Sequence, residues 1–510
     1  MRFLSPILLA FCLASTPVLS DEHSDDAAKE TSAEPQSKTT RHSIRIDGES
    51  IEYDATVGWL ILKDKDGKPT ARFGYTSYTR TESTDPTKRP IMFAFNGGPG
   101  SSSVWLHMGV LGPQRAVVND AGFAPSPPAR RVDNAYSIID VTDLVMVDPV
   151  GTGFSKPLGD ADPKELFWGV DPDIQSVGAF VKQFITEKGR WASPKYILGE
   201  SYGGIRAAGL VHHLQSKHGM HFNGVVAVSP FLNMGSGVDG ANIDLPHALY
   251  LSTFAATAWY HDVLDNRPDD LAAFVEEVNS FALGDYAAAL LKGYTIPMAE
   301  KKAVAERLAK YTGVSADYWL KADLRVSHQQ FLQELKRDDR IITGRIDSRF
   351  LGPAVNPLAE TMNYDPFFPA VGPAYTAAFL DYLHNELEFG QDETYQVSAF
   401  DEVGSSWNWS HTPPSGGGWA VPWADLRADL SMALTTNPGL HLLVQQGYYD
   451  MATPIGATNY DINHLNIPKD ARQRIQMAYY EAGHMMYLHE PSLKKYRRDL
   501  AEFIRSTDGL

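Results

Sequence analysis

The sequence predicts an α/β protein: a mostly parallel sheet flanked by helices and interrupted by a largely helical insertion. Three observations carry this reading. Short apolar runs, each ending in glycine, proline or a polar turn, recur along the chain: IMFAF (91–95), DLVMVD (143–148), KYILG (195–199), GVVAVSP (224–230), HLLVQQG (441–447) and IQMAYY (475–480). Runs of this kind read as strands buried on both faces, as in a parallel sheet. Helical patterns intervene, and strands alternating with helices imply helices on both faces of the sheet. Finally, the short runs stop between about 236 and 425, where helix-like segments take over.

Taken in order, the chain opens with Arg2, the apolar run FLSPILLAFCLA and small residues up to Ser20. Residues 1–20 read as a secretory signal peptide, too short to span a bilayer. Residues 21–43 are polar, charged and poor in apolar side chains, and read as a disordered leader. The first part of the α/β core is expected over 44–235. It starts with alternating segments, TVGWLIL and ARFGYTSYT, on either side of DKDGKP, where Asp66-Gly67 marks a hairpin. Val177, Phe180, Val181, Phe184 and Ile185 then follow the 3.6 spacing of a one-sided helix. The insertion, 236–425, contains DDLAAFVEEVNSFA, PMAEKKAVAERLAKY and AYTAAFLDYLHNEL, followed by the loop-rich WNWSHTPPSGGGWAVPW. The core resumes over 426–510 and ends in PSLKKYRRDLAEFI, a helix opened by Pro491.

Composition narrows the function classes. A net charge of −17 works against nucleic acid and anionic membrane as partners, and the one short basic run, KKYRR (494–498), sits inside the last helix. No run after the first twenty residues is long enough to span a bilayer, so no stable membrane anchor is expected. Cys12 is the only cysteine. It lies in the signal-like segment, and Phe11 stands before it where a lipoprotein would carry a small residue. An exported protein with no cysteine in its mature part fits a bacterial periplasm, or the extracellular space, better than an animal or plant secretory route.

Two motifs then point to chemistry. Gly199-Glu200-Ser201-Tyr202-Gly203 is a G-x-S-x-G pattern directly after a predicted strand, where a sharp strand-to-helix turn would expose a serine nucleophile. A serine needs a base, and the base needs an orienting acid. Asp450 follows the strand HLLVQQG and His484 follows IQMAYY, in the chain order that this kind of turn requires. His464 and His489 are rival bases, but neither directly follows a strand. The second motif, FNGGPGSSS (95–103), also follows a strand. A phosphate-binding loop would place a lysine after the glycines, and none is present. In an α/β-hydrolase the loop at this place and the residue after the nucleophile, here Tyr202, supply backbone N–H groups to an oxyanion.

Together FNGGPGSSS, DPVGTGFS, GESYGG, GYYDMATP and EAGHMMY resemble, in order and over about residues 50 to 505, the serine carboxypeptidases (peptidase S10, α/β-hydrolase fold). The resemblance, read as that of a bacterial exported member, implies a serine peptidase that removes single residues from peptides with a free C-terminus. Ser201, Asp450 and His484 would be its triad, and the backbone of Gly98 and Tyr202 its oxyanion donors. It also implies that Asn96, Gly97 and Glu200 hold the terminal carboxylate of the substrate, which requires Glu200 to be protonated. Peptide binding would then favour acidic pH, whereas esters would tolerate higher pH. Two positions depart from the family pattern. Ser101 replaces a disulfide cysteine, and Val110 stands before Leu-Gly-Pro where the family often has a glutamate supporting the carboxylate site.

Met485 matches a position lining the pocket for the leaving residue, and it reads equally as core filler. Trp407, Trp409, Trp419 and Trp423 either shape a cleft beneath the insertion or pack a cysteine-free loop. No metal site is expected, since there is no HExxH and the adjacent His212 and His213 point to different helix faces. No cofactor is expected either: the glycine-rich segments near 97, 151 and 416 lack the dinucleotide fingerprint. The sequence carries no signal for oligomeric state. An esterase or acyltransferase on the same scaffold, or a non-catalytic binding protein, are the alternative readings.

Overall fold

A computed structural model describes residues 33–83, 85–240, 242–415 and 417–509. The expected signal peptide, 1–20, lies outside the described residues. Nine strands form the backbone of one sheet: β1 (Gln36–Ile46), β2 (Glu49–Lys63), β3 (Pro69–Arg80), β4 (Ile91–Phe95), β5 (Asp143–Val147), β6 (Lys195–Glu200), β7 (Gly224–Val228), β8 (His441–Gly447) and β9 (Ile475–Tyr480). Their spatial order is β1-β2-β3-β5-β4-β6-β7-β8-β9, and a two-residue strand, Lys156–Pro157, pairs with β3 as the tenth. The first three strands run antiparallel, β3 meets β5 antiparallel, and every pairing from β5 to β9 is parallel. This is the expected α/β architecture.

The period-two alternation of side chains on a strand is visible in the packing. Phe93, Val145, Ile197, Val225 and Leu442 point to one face, where they meet Val177, Phe180 and Phe184 of helix Val170–Glu187 and Leu210 of helix Gly203–His218. Met92, Leu144, Leu198, Val226 and Leu443 point to the other, where they meet Leu493, Leu500 and Phe503 of helix Glu490–Thr507. One-residue steps along β4 to β8 thus feed two separate cores. That is why these strands read as continuous apolar runs.

The leader expected to be disordered through residue 43 is corrected. Gln36–Ile46 is an edge strand paired with β2 from Gln36 opposite Trp59 to Ile46 opposite Glu49. Only Ile44 and Ile46 of this strand are buried. It is held by its ladder and not by apolar burial, and a composition-based reading has no access to that. Charges at Lys38 and Arg41 also blunt an otherwise open edge.

Between β7 and β8 the chain is mostly helical, as expected, with one small hairpin, Ile341–Thr343 against Leu351–Pro353. This stretch does not have a single core. Helices Asp244–Tyr260, Leu271–Phe281 and Met298–Thr312 gather around Leu251, Phe254, Val278, Leu308, Trp319 and Phe331. Helix Phe367–Asp381, by contrast, buries Phe367, Val371, Tyr375 and Phe379 in one of the two sheet cores. Among the described residues no helix is long and apolar enough to cross a membrane.

Candidate active site

Ser201 sits between β6 and helix Gly203–His218 with φ of 64°. That left-handed backbone is strained for a side chain with a Cβ, and such strain concentrates at functional sites. Three hydrogen bonds over-determine it: Ser201 N–H donates to Val228 O at 3.0 Å, and Ser201 O accepts from Gly204 N at 2.8 Å and Phe231 N at 3.0 Å. The turn expected from G-x-S-x-G is present.

Asp450 and His484 stand at the ends of β8 and β9 and meet, with His484 Nδ1 2.8 Å from Asp450 Oδ2. Asp450 is fully buried and heavily bonded. The N–H groups of Ala452 and Thr453 donate to its Oδ1 at 2.9 Å each, and Thr453 Oγ1 donates to its Oδ2 at 2.6 Å. Burial disfavours a charged His484, but the Asp450 carboxylate, its hydrogen bond and Glu200 outweigh this, so the imidazole pKa is raised. With Nδ1–H committed to Asp450, Nε2 is the face left to accept a proton. The rival histidines are elsewhere: His464 bonds Tyr460 O at 2.7 Å and His489 bonds Ser492 Oγ at 2.8 Å.

A segment of the insertion holds both loops. Met451 N–H donates to Arg345 O at 3.1 Å, Ser348 N–H to Tyr449 O at 3.0 Å and His484 N–H to Ile346 O at 2.8 Å. The approach is so close that a Cβ on Gly483 would lie 2.4 Å from Cβ of Asp347.

The NGGPG loop lies directly against the serine turn. A Cβ on Gly97 would come within 2.5 Å of Tyr202 N and 2.7 Å of Glu200 O. Among the described residues, no acceptor takes the N–H of Gly98 or of Tyr202. Both are open donors beside the serine, the arrangement an oxyanion needs. The DPVGTG motif supports this loop from behind, since Asp148 Oδ1 accepts from Ser103 N at 2.9 Å.

Asn96 and Glu200, chosen from sequence as carboxylate-binding residues, are paired: Asn96 Nδ2 donates to Glu200 Oε1 at 2.7 Å. Asn96 Oδ1 accepts from Leu106 N at 3.0 Å, and Asn96 O from the buried Arg206 guanidinium at 2.8 Å. Sequence reasoning missed the third member. Tyr487 Oη donates to Glu200 Oε2 at 2.9 Å, three residues after His484. Val110, where the family often has a glutamate, is buried among apolar neighbours. Burial pushes the Glu200 pKa up to about 7, aided by Asp450 and opposed by His484, Tyr487 and Asn96.

Ser201, His484, Glu200, Asn96, Gly97 and Gly98 line one cavity of about 310 Å³, whose walls also include Trp105, Phe367, Phe368 and Met485. Met485 faces the cavity and is also buried, at 4% exposed. Trp407 and Trp409 pack edge-on to the Tyr202 ring at 5.2 and 5.8 Å, whereas Trp419 and Trp423 are exposed. Among the described residues no cluster of metal-ligating side chains is found.

A family model described as "Serine carboxypeptidase" matches residues 64–278. "Serine carboxypeptidase-like 9" of Arabidopsis thaliana is 28% identical over 169 residues, covering 32% of this chain and 35% of that protein. "Serine carboxypeptidase 1" of Hordeum vulgare is 30% identical over 140 residues, 27% of each chain. The chain spans about a third of the length of the first curated relatives it matches. In fold it is similar over 89% of its length to Kex1(Δ)p, a prohormone-processing carboxypeptidase of Saccharomyces cerevisiae, with a TM-score of 0.55, 14% identity and 91% of that chain covered. Over residues 64–278 the chain is similar to the serine carboxypeptidases.

Proposed function

We propose that this protein is a serine-type carboxypeptidase that releases single residues from peptides with a free C-terminus through an acyl-enzyme on Ser201. One observation carries the reading: a buried carboxyl, Glu200, with a pKa near neutrality and an asparagine beside it, shares a cavity with the serine and histidine. A carboxyl of that kind can hold another carboxylate by donating its proton, which an ordinary ionised glutamate cannot do.

The arrangement of these residues supports the following steps. His484 Nε2 takes the Ser201 hydroxyl proton as Oγ attacks the last peptide carbonyl, while Asp450 keeps Nδ1–H in place. The N–H groups of Gly98 and Tyr202 receive the oxyanion, each worth about 3–4 kcal/mol in the transition state. As the C–N bond breaks, His484 returns the proton to the leaving amine. Water repeats the cycle on the acyl-enzyme. The productive Glu200–His484 pair thus holds one proton, and it must sit on Glu200.

Export and a periplasmic or extracellular destination belong to the same proposal, supported by the apolar run after Arg2 and by the lack of cysteine beyond Cys12. N-terminal sequencing of the protein after expression in a bacterial host tests that point. The enzymatic reading is tested with an N-blocked dipeptide and its C-terminal amide between about pH 4 and pH 8, with products read by mass. Cleavage of the free acid alone, absent in Ser201→Ala, is expected. Equal cleavage of acid and amide, or turnover of simple esters only, would leave an esterase or acyltransferase instead.

A further inference from the structure

Arg345 lines the same cavity as Ser201, His484, Asn96 and Glu200. Its backbone is fixed: Arg345 O accepts from Met451 N at 3.1 Å, and Arg345 N–H donates to Asp365 Oδ2 at 3.2 Å. Its guanidinium is different. Several half-buried or buried arginines are paired with acids, such as Arg206 with Asp173 at 2.8 Å, Arg325 with Asp244 at 2.7 Å and Arg349 with Asp347 at 2.6 Å. Among the described residues, no carboxylate forms an ion pair with Arg345. Asp365, which feels the Arg345 charge, spends its oxygens on the N–H groups of Arg345, Ile346 and Phe367.

A guanidinium that lines a cavity together with Phe367, Phe368 and Met485, with no acid pairing it, is placed to meet an anion entering that cavity. Its planar fork matches a carboxylate in two-point contact. The terminal carboxylate of the substrate already has the Asn96–Glu200 pair under the reading above. The group seated between that pair and Ser201 is the residue to be released, so its side chain is what remains for Arg345. We propose that Arg345 gives this site a preference for peptides whose C-terminal residue carries an acidic side chain.

The proposal rests on the carboxypeptidase reading, and the test separates the two. At pH 6 a substrate glutamate is ionised, while Glu200, with its pKa near 7, is mostly protonated. N-blocked dipeptides ending in Glu or in its neutral isostere Gln are compared by kcat/KM on the same enzyme sample. The wild type should favour Glu by about tenfold, the yield of a charge-assisted contact that is partly solvent-screened. Arg345→Met should bring that ratio close to one, Arg345→Lys should keep part of it, and Arg345→Glu should favour a Lys-ended peptide instead. Because each ratio is internal to one sample, loss of folded protein cannot imitate it. A wild-type ratio of one or less overturns the proposal, as does an unchanged ratio in Arg345→Met, or a loss there shared equally by both substrates. If no peptide is cleaved, the carboxypeptidase reading falls while Arg345 is still decided by protection of Ser201 from a fluorophosphonate. N-acetylglutamate protecting better than N-acetylglutamine in the wild type, but not in Arg345→Met, supports the proposal. Equal protection overturns it.

Discussion

Glu200→Gln exchanges a titrating group for one that can donate a hydrogen bond at every pH. Under the proposed function the terminal carboxylate of a peptide is held only while Glu200 carries its proton, and burial raises that pKa to about 7. A group titrating there is about nine-tenths protonated one unit below and about one-tenth protonated one unit above. For an N-blocked dipeptide acid, kcat/KM should therefore fall about tenfold from pH 6 to pH 8, while the matching ethyl ester shows no such fall. The variant keeps its contacts. With Oε1 toward Asn96 Nδ2, now at 2.7 Å from Glu200, the new amide nitrogen faces Tyr487 Oη, which can turn and accept. The cost to folding should stay within about 1 kcal/mol. Two outcomes are expected in stopped assays across pH 5 to pH 8. The alkaline fall for the peptide acid should disappear. The acid limb, set by His484, should stay in place, because Glu200 is already uncharged in the protonation state that works there. If the wild-type profile for the acid falls no more steeply than that for the ester, or if the glutamine variant falls equally steeply, Glu200 does not read the carboxylate through its proton.

Three further outcomes follow from the same geometry. Ser201→Ala should lose about 10⁶-fold in kcat, together with the mass shift from a fluorophosphonate, because the triad acts as a unit. Gly97→Ala drives a methyl to within 2.5 Å of Tyr202 N and should lower kcat by about 10²–10³-fold through misplaced oxyanion donors, with substrate KM less affected. Tyr487→Phe removes a donor that favours the charged form of Glu200, so the alkaline fall in peptide hydrolysis should shift to higher pH in the same profile.

The parts of this site legible in sequence are those built from a few consecutive residues with strict backbone demands. A serine at positive φ between β6 and a helix calls for small neighbours, and β4 to β8 need apolar side chains on both faces; both leave marks in the chain. The parts that were not legible depend on long-range approach. Tyr487 reaches Glu200 from 287 positions away, and nothing in MYLHEP distinguishes it from a core tyrosine. Arg345 lies in a stretch, GRIDSRF, that reads as a polar loop until the catalytic loops are placed beside it. The β1 edge strand is hidden for a different reason, since QSKTTRHS exposes polar side chains while its backbone pairs along its whole length with β2. The helical character of 236–425 was readable from periodicity. Its division between an independent core and one of the two sheet cores was not, because helix Phe367–Asp381 is apolar on the same pattern as its neighbours.

The backbone contacts of residues 345–348 with the Asp450 and His484 loops constrain how this scaffold can diversify. A pocket-shaping insertion joined to its sheet only by flexible connections could be exchanged for another without touching the chemistry. Here the chain that presents Arg345 to the cavity also anchors the acid and the base, and Gly483 is shaped to fit Asp347. Altering substrate preference by grafting a foreign insertion would therefore require transferring residues 344–349 together with 448–452 and 482–485 as one interlocking module. Point changes at side chains that leave this module intact are the accessible route to new selectivity.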